Sequence, residues 1–217
     1  MIKLPKIKIC GLTRPCDIAM ANRERPDYIG FVFAASRRRV SPCQARELRK
    51  ELDKKILPVG VFVDAEISQI LSLVNDGTID IIQLHGTEDE AYIARLKKET
   101  NVPIIKAISV MERGDVQKWE TTAADYLLLD HKGGGTGHTF DWQLIGDTRK
   151  PYFLAGGLQI SNIAAAIAST NPFAVDVSSG VETNGAKDPV KVGEFISIVR
   201  GAVASQNLHP FATTPKT

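Results

Sequence analysis

The stretch Lys6-Ile-Lys-Ile-Cys-Gly-Leu-Thr-Arg-Pro15 decides the fold class of this chain. Its first half alternates and is rich in β-branched residues, which predicts a strand that stops abruptly at Cys10. Thr13, followed by Arg14 and Pro15, predicts the start of a helix with Thr13 as its N-cap. A thiol therefore stands where a strand ends and a loop begins. In parallel α/β proteins the functional residues lie at that end of the strands.

Similar short apolar segments recur along the chain, with starting points roughly 20 to 30 residues apart, the length of a strand, a helix and two loops. Eight strands are predicted, at residues 7–10, 28–33, 57–63, 80–85, 104–108, 126–130, 152–155 and 174–178. Helical patterns separate them. After the first helix they lie at residues 42–52, 65–75, 88–100, 162–169 and 189–203, with shorter ones at 112–121 and 141–146.

This alternation predicts a single (β/α)8 TIM barrel, in which eight parallel strands are ringed by helices. Strands such as 28–33 are almost continuously apolar, as expected where both faces are covered. The alternative, a doubly wound open sheet, needs three glycines after the first strand, and Cys10-Gly-Leu-Thr-Arg14 has one. We assign residues 1–204 to the barrel and expect residues 205–217 to be a polar tail without function.

Composition excludes several classes of protein. The chain of 217 residues, 43% hydrophobic and 24% charged, suits one domain with a full core or two small domains. Its net charge of +2 and scattered basic residues argue neither for nor against a nucleic-acid partner, and we expect none. The three cysteines lack metal-ligand spacing and predict no disulfide framework, which favours the cytoplasm. No apolar leader or long apolar run is present, so neither a signal peptide nor a membrane span is expected.

The barrel places the active site at the carboxyl ends of the strands. That rule alone selects the candidates Cys10, residues 34–40, Asp64, His85, Gly86, Asp130, Gly156, Gly157, Ser178, Ser179 and Gly180.

The glycines and serines after strands seven and eight form a pair of clusters. Gly156 and Gly157 follow strand seven, and Ser178, Ser179 and Gly180 follow strand eight. Glycines allow backbone N–H groups to approach an anion, and these two loops are the usual phosphate site of the fold. The alternative is that the glycines only make tight turns. We favour a phosphate site and a phosphorylated small-molecule substrate.

The other candidates are less specific. Asp130 ends an apolar strand and precedes a glycine-rich stretch that is a candidate lid, so it suits catalysis better than a cap or a structural salt bridge. One guanidinium of Arg37-Arg-Arg39 is suited to bind a substrate carboxylate, although position does not say which. His85 is either an acid, a base, a hydrogen-bonding wall or structural. The histidines have no metal-ligand spacing, so no metal is predicted.

Taken together, these residues resemble phosphoribosylanthranilate isomerases over nearly the whole chain, up to about residue 203. The matching segments, in order, are residues 8–14, 30–33, 36–42, 60–62, 83–86, 129–130, 134–142, 154–158, 176–182 and 185–188. Each segment alone is weakly specific. All of them in order, at barrel spacing, form a specific pattern.

The resemblance implies a function and a role for each candidate. The family carries out an Amadori rearrangement of N-(5′-phosphoribosyl)anthranilate to 1-(2-carboxyphenylamino)-1-deoxyribulose 5-phosphate in tryptophan biosynthesis, without a cofactor. It implies that Cys10 is the general base, Asp130 the general acid and Arg38 the ligand of the substrate carboxylate, and we expect His85 to contact substrate. His138 departs from the family, which often has lysine in the glycine-rich loop. A monomer or a homodimer is expected.

This chemistry predicts unusual protonation states. Asp130 must be protonated to act as an acid and Cys10 ionised to act as a base. We therefore expect the site to lower the pKa of Cys10 and to raise that of Asp130. Alternation places Lys8 inside the barrel below Cys10, where a buried ammonium needs a partner. We hypothesise an ion pair between Lys8 and Asp176 that also favours the thiolate.

Three other functions compete with this interpretation. The histidine-pathway sugar isomerase does the same chemistry but typically uses two aspartates, and Cys10 argues against it and against a dual-substrate enzyme. A barrel that only binds a phosphorylated sugar is the non-enzymatic alternative, and the presence of both an acid and a base argues against it.

Overall fold

The computed structural model describes residues 4–131 and 139–206. Eight parallel strands close into a barrel in sequence order. They are β1 (Lys6–Cys10), β2 (Tyr28–Val32), β3 (Leu57–Phe62), β4 (Ile81–Leu84), β5 (Ile104–Ser109), β6 (Tyr126–Asp130), β7 (Tyr152–Leu154) and β8 (Ala174–Val177). The predicted TIM barrel is confirmed, and each predicted strand is present with bounds that differ by at most one residue at either end.

The helices lie outside the strands. They are α1 (Pro15–Glu24), α2 (Pro42–Lys50), α3 (Ile67–Asn75), α4 (Glu90–Glu99), α5 (Ile163–Thr170) and α6 (Pro189–Gln206). A short antiparallel hairpin of β9 (Glu182–Thr183) and β10 (Ala186–Lys187) follows β8 and was not predicted. Two predicted helices are wrong in extent, because 112–121 and 141–146 contain only the 3-10 turns Gln117–Trp119 and Trp142–Leu144.

The start of α1 differs from the prediction by one residue. Arg14, rather than Thr13, is the N-cap. The Asp17 carboxylate accepts the backbone N–H groups of Thr13 and Arg14 at 2.9 and 3.0 Å. Asp17, the third residue of the helix, thereby holds the two residues that precede the helix, whereas an N-cap hydroxyl would accept from N–H groups inside the first turn. The predicted capping of α2 is confirmed, since Ser41 Oγ accepts from Gln44 N at 3.1 Å.

Alternation along the strands sorts the barrel interior into two zones. The amino-terminal zone is apolar and includes Phe153, which packs against Tyr28 and Tyr126 with ring centroids 5.5 and 5.7 Å apart. Further along the strands, interior positions become polar, and Lys8 is fully buried there. Two larger apolar clusters, which contain residues of both the strands and the helices, supply most of the buried apolar surface, so the carboxyl ends are free to carry polar chemistry.

Several predictions fall on the ends of the chain and on the glycine-rich loop. The last helix ends at Gln206, three residues beyond the prediction. The remainder of the tail, His138 and the candidate lid at residues 133–137 lie outside the described residues. In the part of the chain that is described, no helix is long and apolar enough to cross a membrane.

Candidate active site

A cavity of about 310 Å³ opens at the carboxyl ends of the barrel strands. Among the residues that line it are Cys10, Arg38, His85, Asp130, Gly156, Gly157, Ser178 and Ser179, all of which were candidates from the sequence. Gly180 packs behind the lining, where an added Cβ would lie 2.0 Å from the carbonyl oxygen of Leu158. The structure therefore brings to one cavity eight of the nine residues for which the sequence predicts a catalytic or binding role.

Lys8 and Asp176, which also lines the cavity, form the ion pair predicted from strand alternation. The register of β1 and β8 sets the two residues side by side, and Lys8 Nζ lies 2.8 Å from Asp176 Oδ2. Lys8 is fully buried and the Asp176 side chain is 9% exposed. Burial lowers the pKa of Lys8, but Asp176 and Cys10 outweigh it and leave the pKa raised, so the ammonium stays charged.

The expected lowering of the Cys10 pKa is wrong. Burial raises the pKa of the thiol, because the thiolate loses its hydration. The cations Lys8 and Lys187 lower it and the Asp176 carboxylate raises it, and burial outweighs both cations. Gly30 sits beside the thiol, and a Cβ there would lie 2.6 Å from Sγ. Cys10 is thus a buried, mostly protonated thiol with two ammonium groups acting on it.

The expected raising of the Asp130 pKa is confirmed. Burial raises it, while His85 and the backbone N–H of His131 partly offset that effect. Asp130 Oδ2 lies 3.7 Å from His85 Nε2. Burial lowers the pKa of His85, with Asp130 acting in the opposite direction, so the imidazole is neutral at pH 7. Gln83 Nε2 lies 2.9 Å from His85 Nδ1, and when the amide donates there the ring proton stands on Nε2, facing Asp130.

Arg38 lines the cavity, and the two arginines beside it do not. Arg38 is half-buried and donates from Nε to Glu182 Oε1 at 2.7 Å and from Nη2 to Glu182 Oε2 at 3.0 Å. Arg37 and Arg39 are exposed, as predicted. Arg37 nevertheless also reaches Glu182, with Nη2 2.6 Å from Oε2.

The loops after β7 and β8 meet at one side of the cavity. Gly156 and Gly157 have φ of +77° and +65°, so the chain turns sharply after β7. Ser178 Oγ donates to the carbonyl oxygen of Cys10 at 2.9 Å, which connects the β8 loop to the end of β1. Backbone N–H groups in such turns are suited to bind an anion.

Sequence reasoning missed three residues of this region. Gln83 lies two residues before His85, where alternation alone places it in the interior. Glu182 and Lys187 are buried on the unpredicted hairpin, with Lys187 Nζ 2.6 Å from Glu182 Oε1. The signal for them was the pair of segments 176–182 and 185–188, which the resemblance includes without assigning a role to these two residues.

A second cavity of about 450 Å³ adjoins the first and shares His85 and Asp130 with it. A buried pair stands in its wall, in which Lys106 Nζ donates to Glu88 Oε2 at 2.8 Å. Glu88 Oε1 also accepts the backbone N–H of Asp64 at 2.8 Å. Asp64, a candidate from the sequence, therefore helps to hold the loops after β3 and β4 together. Among the residues described, no group of three or more His, Cys, Asp or Glu could hold a metal ion.

The barrel and its carboxyl-end cavity define a TIM-barrel enzyme. The family model for N-(5′-phosphoribosyl)anthranilate isomerase matches residues 7–198. The isomerase of that name from Endomicrobium trichonymphae is 47% identical over 201 residues, covering 91% of this chain and 99% of that one. The chain therefore belongs to the N-(5′-phosphoribosyl)anthranilate isomerase family, and its activity is that aldose–ketose isomerisation in tryptophan biosynthesis.

Solved structures agree with this assignment. One holds mutually generated monomers of the dimeric isomerase of Thermotoga maritima, with a TM-score of 0.80, 35% identity and coverage of 91% of this chain and 99% of that one. Another is the isomerase in complex with reduced 1-(o-carboxyphenylamino)-1-deoxyribulose 5-phosphate, with a TM-score of 0.80, 34% identity and coverage of 91% and 99%. Membership of the family decides against a histidine-pathway isomerase and against a barrel that only binds.

Proposed function

We propose that Cys10 is the general base and Asp130 the general acid of the isomerisation in this chain. The observation that carries the proposal is that both side chains line one cavity, at the ends of β1 and β6, together with Arg38 and the β7 and β8 loops. A base, an acid and two anion-binding elements around one space match a substrate with a carboxylate, a phosphate and a sugar between them.

Asp130 serves the first step, the opening of the ribose ring. The ring oxygen needs a proton as its bond to C1′ breaks, and a carboxyl group whose pKa is raised by burial holds one to give. The product of this step is a protonated Schiff base between C1′ and the anthranilate nitrogen. Neutral His85 stands beside the carboxyl and is suited to donate a hydrogen bond to the carboxylate that remains.

Cys10 serves the second step, the removal of the C2′ proton. The positive nitrogen of the Schiff base makes that proton acidic, and a thiolate takes it to form an enolamine. The enolamine gains a proton at C1′ and its 2′-hydroxyl loses one, which gives the ketone. Two protons are added, at the ring oxygen and at C1′, and two are removed, from C2′ and from the 2′-hydroxyl, so no oxidant or cofactor is needed. The thiolate fraction is small, and Lys8 and Lys187 are the groups that increase it.

The remaining lining residues hold the two ends of the substrate. Arg38 binds the anthranilate carboxylate, since a guanidinium forms paired hydrogen bonds with a carboxylate. Gly156, Gly157, Ser178 and Ser179 bind the phosphate, with Gly180 allowing the two loops to pack. A relative 34% identical to this chain holds a product analogue with both of these groups. The two clamps fix the sugar between Cys10 and Asp130.

The pH dependence of kcat/KM tests this assignment. The active form carries protonated Asp130 and ionised Cys10, and the pKa of each is raised. Below the pKa of Asp130, activity rises with pH because the thiolate fraction grows. Between the two pKa values, the gain of Cys10 thiolate and the loss of protonated Asp130 cancel, so activity is constant. Above the pKa of Cys10 the thiolate fraction no longer grows, and activity falls as Asp130 continues to lose its proton. The expected profile is a broad plateau with a falling limb on each side.

Two variants separate the limbs. In Cys10→Ser the base no longer titrates, so residual activity falls steadily above the pKa of Asp130. In Asp130→Asn the acid is gone, so residual activity rises up to the pKa of Cys10. The assay follows the loss of substrate fluorescence from about pH 4, near the ordinary pKa of an aspartic acid, to about pH 11, above the ordinary pKa of a cysteine. Each protein is first checked to be folded across this range. Identical profile shapes in the two variants would refute the proposal.

We further propose a cytoplasmic enzyme with a small phosphorylated substrate, working as a monomer or homodimer. Exposed free thiols at Cys16 and Cys43 suit a reducing compartment. The catalytic unit is residues 1–204, and residues 205–217 add no function to it.

A further inference from the structure

The hairpin after β8 carries a buried carboxylate, Glu182, that no step of the reaction uses. Its side chain is 5% exposed and contacts Arg37, Arg38 and Lys187. Burial raises the pKa of Glu182, but hydrogen bonds from Arg38 and Lys187 outweigh it and hold the pKa below its usual range. Glu182 is therefore an anion shared among cations, and one of those cations lines the active-site cavity.

Glu182 fixes which edge of the Arg38 guanidinium is available to substrate. Its two oxygens accept from Nε and Nη2, which is the side edge of the guanidinium. The end edge, with Nη1 and the outer hydrogen of Nη2, keeps donors for a second carboxylate. An arginine held in this way meets a substrate carboxylate with its orientation already set, so less conformational entropy is lost on binding.

A second contact holds the stem of Arg38. Gly11 has φ of +84°, in the left-handed region, and a Cβ there would lie 2.4 Å from Arg38 Cδ. The aliphatic part of Arg38 thus passes directly over the backbone that follows Cys10. Both ends of the side chain are constrained, the stem by Gly11 and the head by Glu182.

Lys187 links the same carboxylate to the phosphate side of the cavity. Its ammonium is buried and lies 2.6 Å from Glu182 Oε1, 3.0 Å from the Ser178 carbonyl oxygen and 3.2 Å from Ser178 Oγ. One buried carboxylate therefore connects the β2 loop, which carries Arg38, to the β8 loop, which carries Ser178.

We propose that Glu182 is a positioning residue that orients Arg38 and so sets the preference for an arylamine with an ortho-carboxylate over one without it. The inference rests on the proposed role of Arg38. It does not make Glu182 a catalytic residue, because Glu182 acts through Arg38.

The test compares two substrates, N-(5′-phosphoribosyl)anthranilate and N-(5′-phosphoribosyl)aniline, which lacks the carboxylate. In Glu182→Gln we expect kcat/KM for the first to fall about 10- to 100-fold, the range that misplaced substrate contacts cost. The value for the aniline substrate should stay within assay error. Arg37→Ala is the matched control, because it removes the exposed partner of the same carboxylate, and both substrates should react as with the unaltered enzyme.

Each outcome decides the inference. Equal losses with both substrates indicate a merely structural role and overturn it, as does no loss with either. If Glu182→Gln does not fold, Glu182→Asp keeps the charge beside Lys187 but is one methylene too short to hold both Arg38 nitrogens, and its loss should again be confined to the carboxylated substrate. Arg38→Lys separates the two claims. If that variant keeps the preference, the proposed role of Arg38 fails, and if it loses the preference while the Glu182 variants keep it, only the present inference fails.

Discussion

Replacing Cys10 with alanine is expected to lower kcat about 10²- to 10⁴-fold, the contribution of a positioned general base. The alanine side chain fits the space of the thiol without a clash, so the fold and the substrate clamps should persist. KM should change little, because Cys10 makes no binding contact in the proposed ground state. The measurement is steady-state loss of substrate fluorescence at the pH of the activity plateau.

Cys16→Ala is the control for this substitution. Cys16 is an exposed thiol in α1, outside the cavity, so its removal tests for any general effect of losing a cysteine. The control should retain full activity. An unchanged kcat in Cys10→Ala would remove Cys10 from the chemistry.

Replacing Lys8 with methionine is expected to lower the free energy of unfolding by about 3–5 kcal/mol, the effect of leaving one member of a buried ion pair alone. Lys8 is fully buried and its partner Asp176 nearly so. Without the ammonium, the Asp176 carboxylate is left as an unpaired charge in a medium of low polarity. Chemical denaturation at pH 7 measures the change.

Two further variants frame that result. Lys6→Met removes an ammonium that is also bonded to an aspartate, Asp27, at 2.6 Å, but that pair is partly open to solvent and should contribute less than about 1 kcal/mol. Adding Asp176→Leu to Lys8→Met should recover much of the lost stability, since no unpaired charge remains. A Lys8→Met protein as stable as the original would show that the pair contributes nothing.

Much of the fold could be predicted because the strand signals are local. Most strands are short apolar runs that end at a polar or glycine residue, and the order of strands in a parallel barrel follows from sequence order. The same alternation predicted the pairing of Lys8 with Asp176, since β8 neighbours β1 in a closed barrel. The predicted helices at 112–121 and 141–146 are too long, since the structure has only 3-10 turns there. Helical composition does not reveal where backbone hydrogen bonding stops.

Which residues line the cavity could largely be predicted from the sequence, but their electrostatics could not. The positions of the strand ends select Cys10 and Asp130, but they do not show how deeply either side chain is buried. The sign of the Cys10 pKa shift depends on how far burial outweighs Lys8 and Lys187, which is a three-dimensional quantity. Glu182 escaped notice because its arginine partners are distant in sequence, with Arg38 lying 144 positions away.

The central claim is that Cys10 removes the C2′ proton and that Asp130 protonates the ring oxygen. The most direct test is the kinetic isotope effect with substrate deuterated at C2′, measured in single turnovers so that product release does not contribute.

An isotope effect appears only when C2′–H cleavage limits the rate. We expect it to be larger in Cys10→Ser than in the unaltered enzyme, because proton removal becomes the slow step. In Asp130→Asn it should fall towards unity, because ring opening becomes the slow step. The opposite order, or equal isotope effects in the two variants, would contradict the assignment of base and acid.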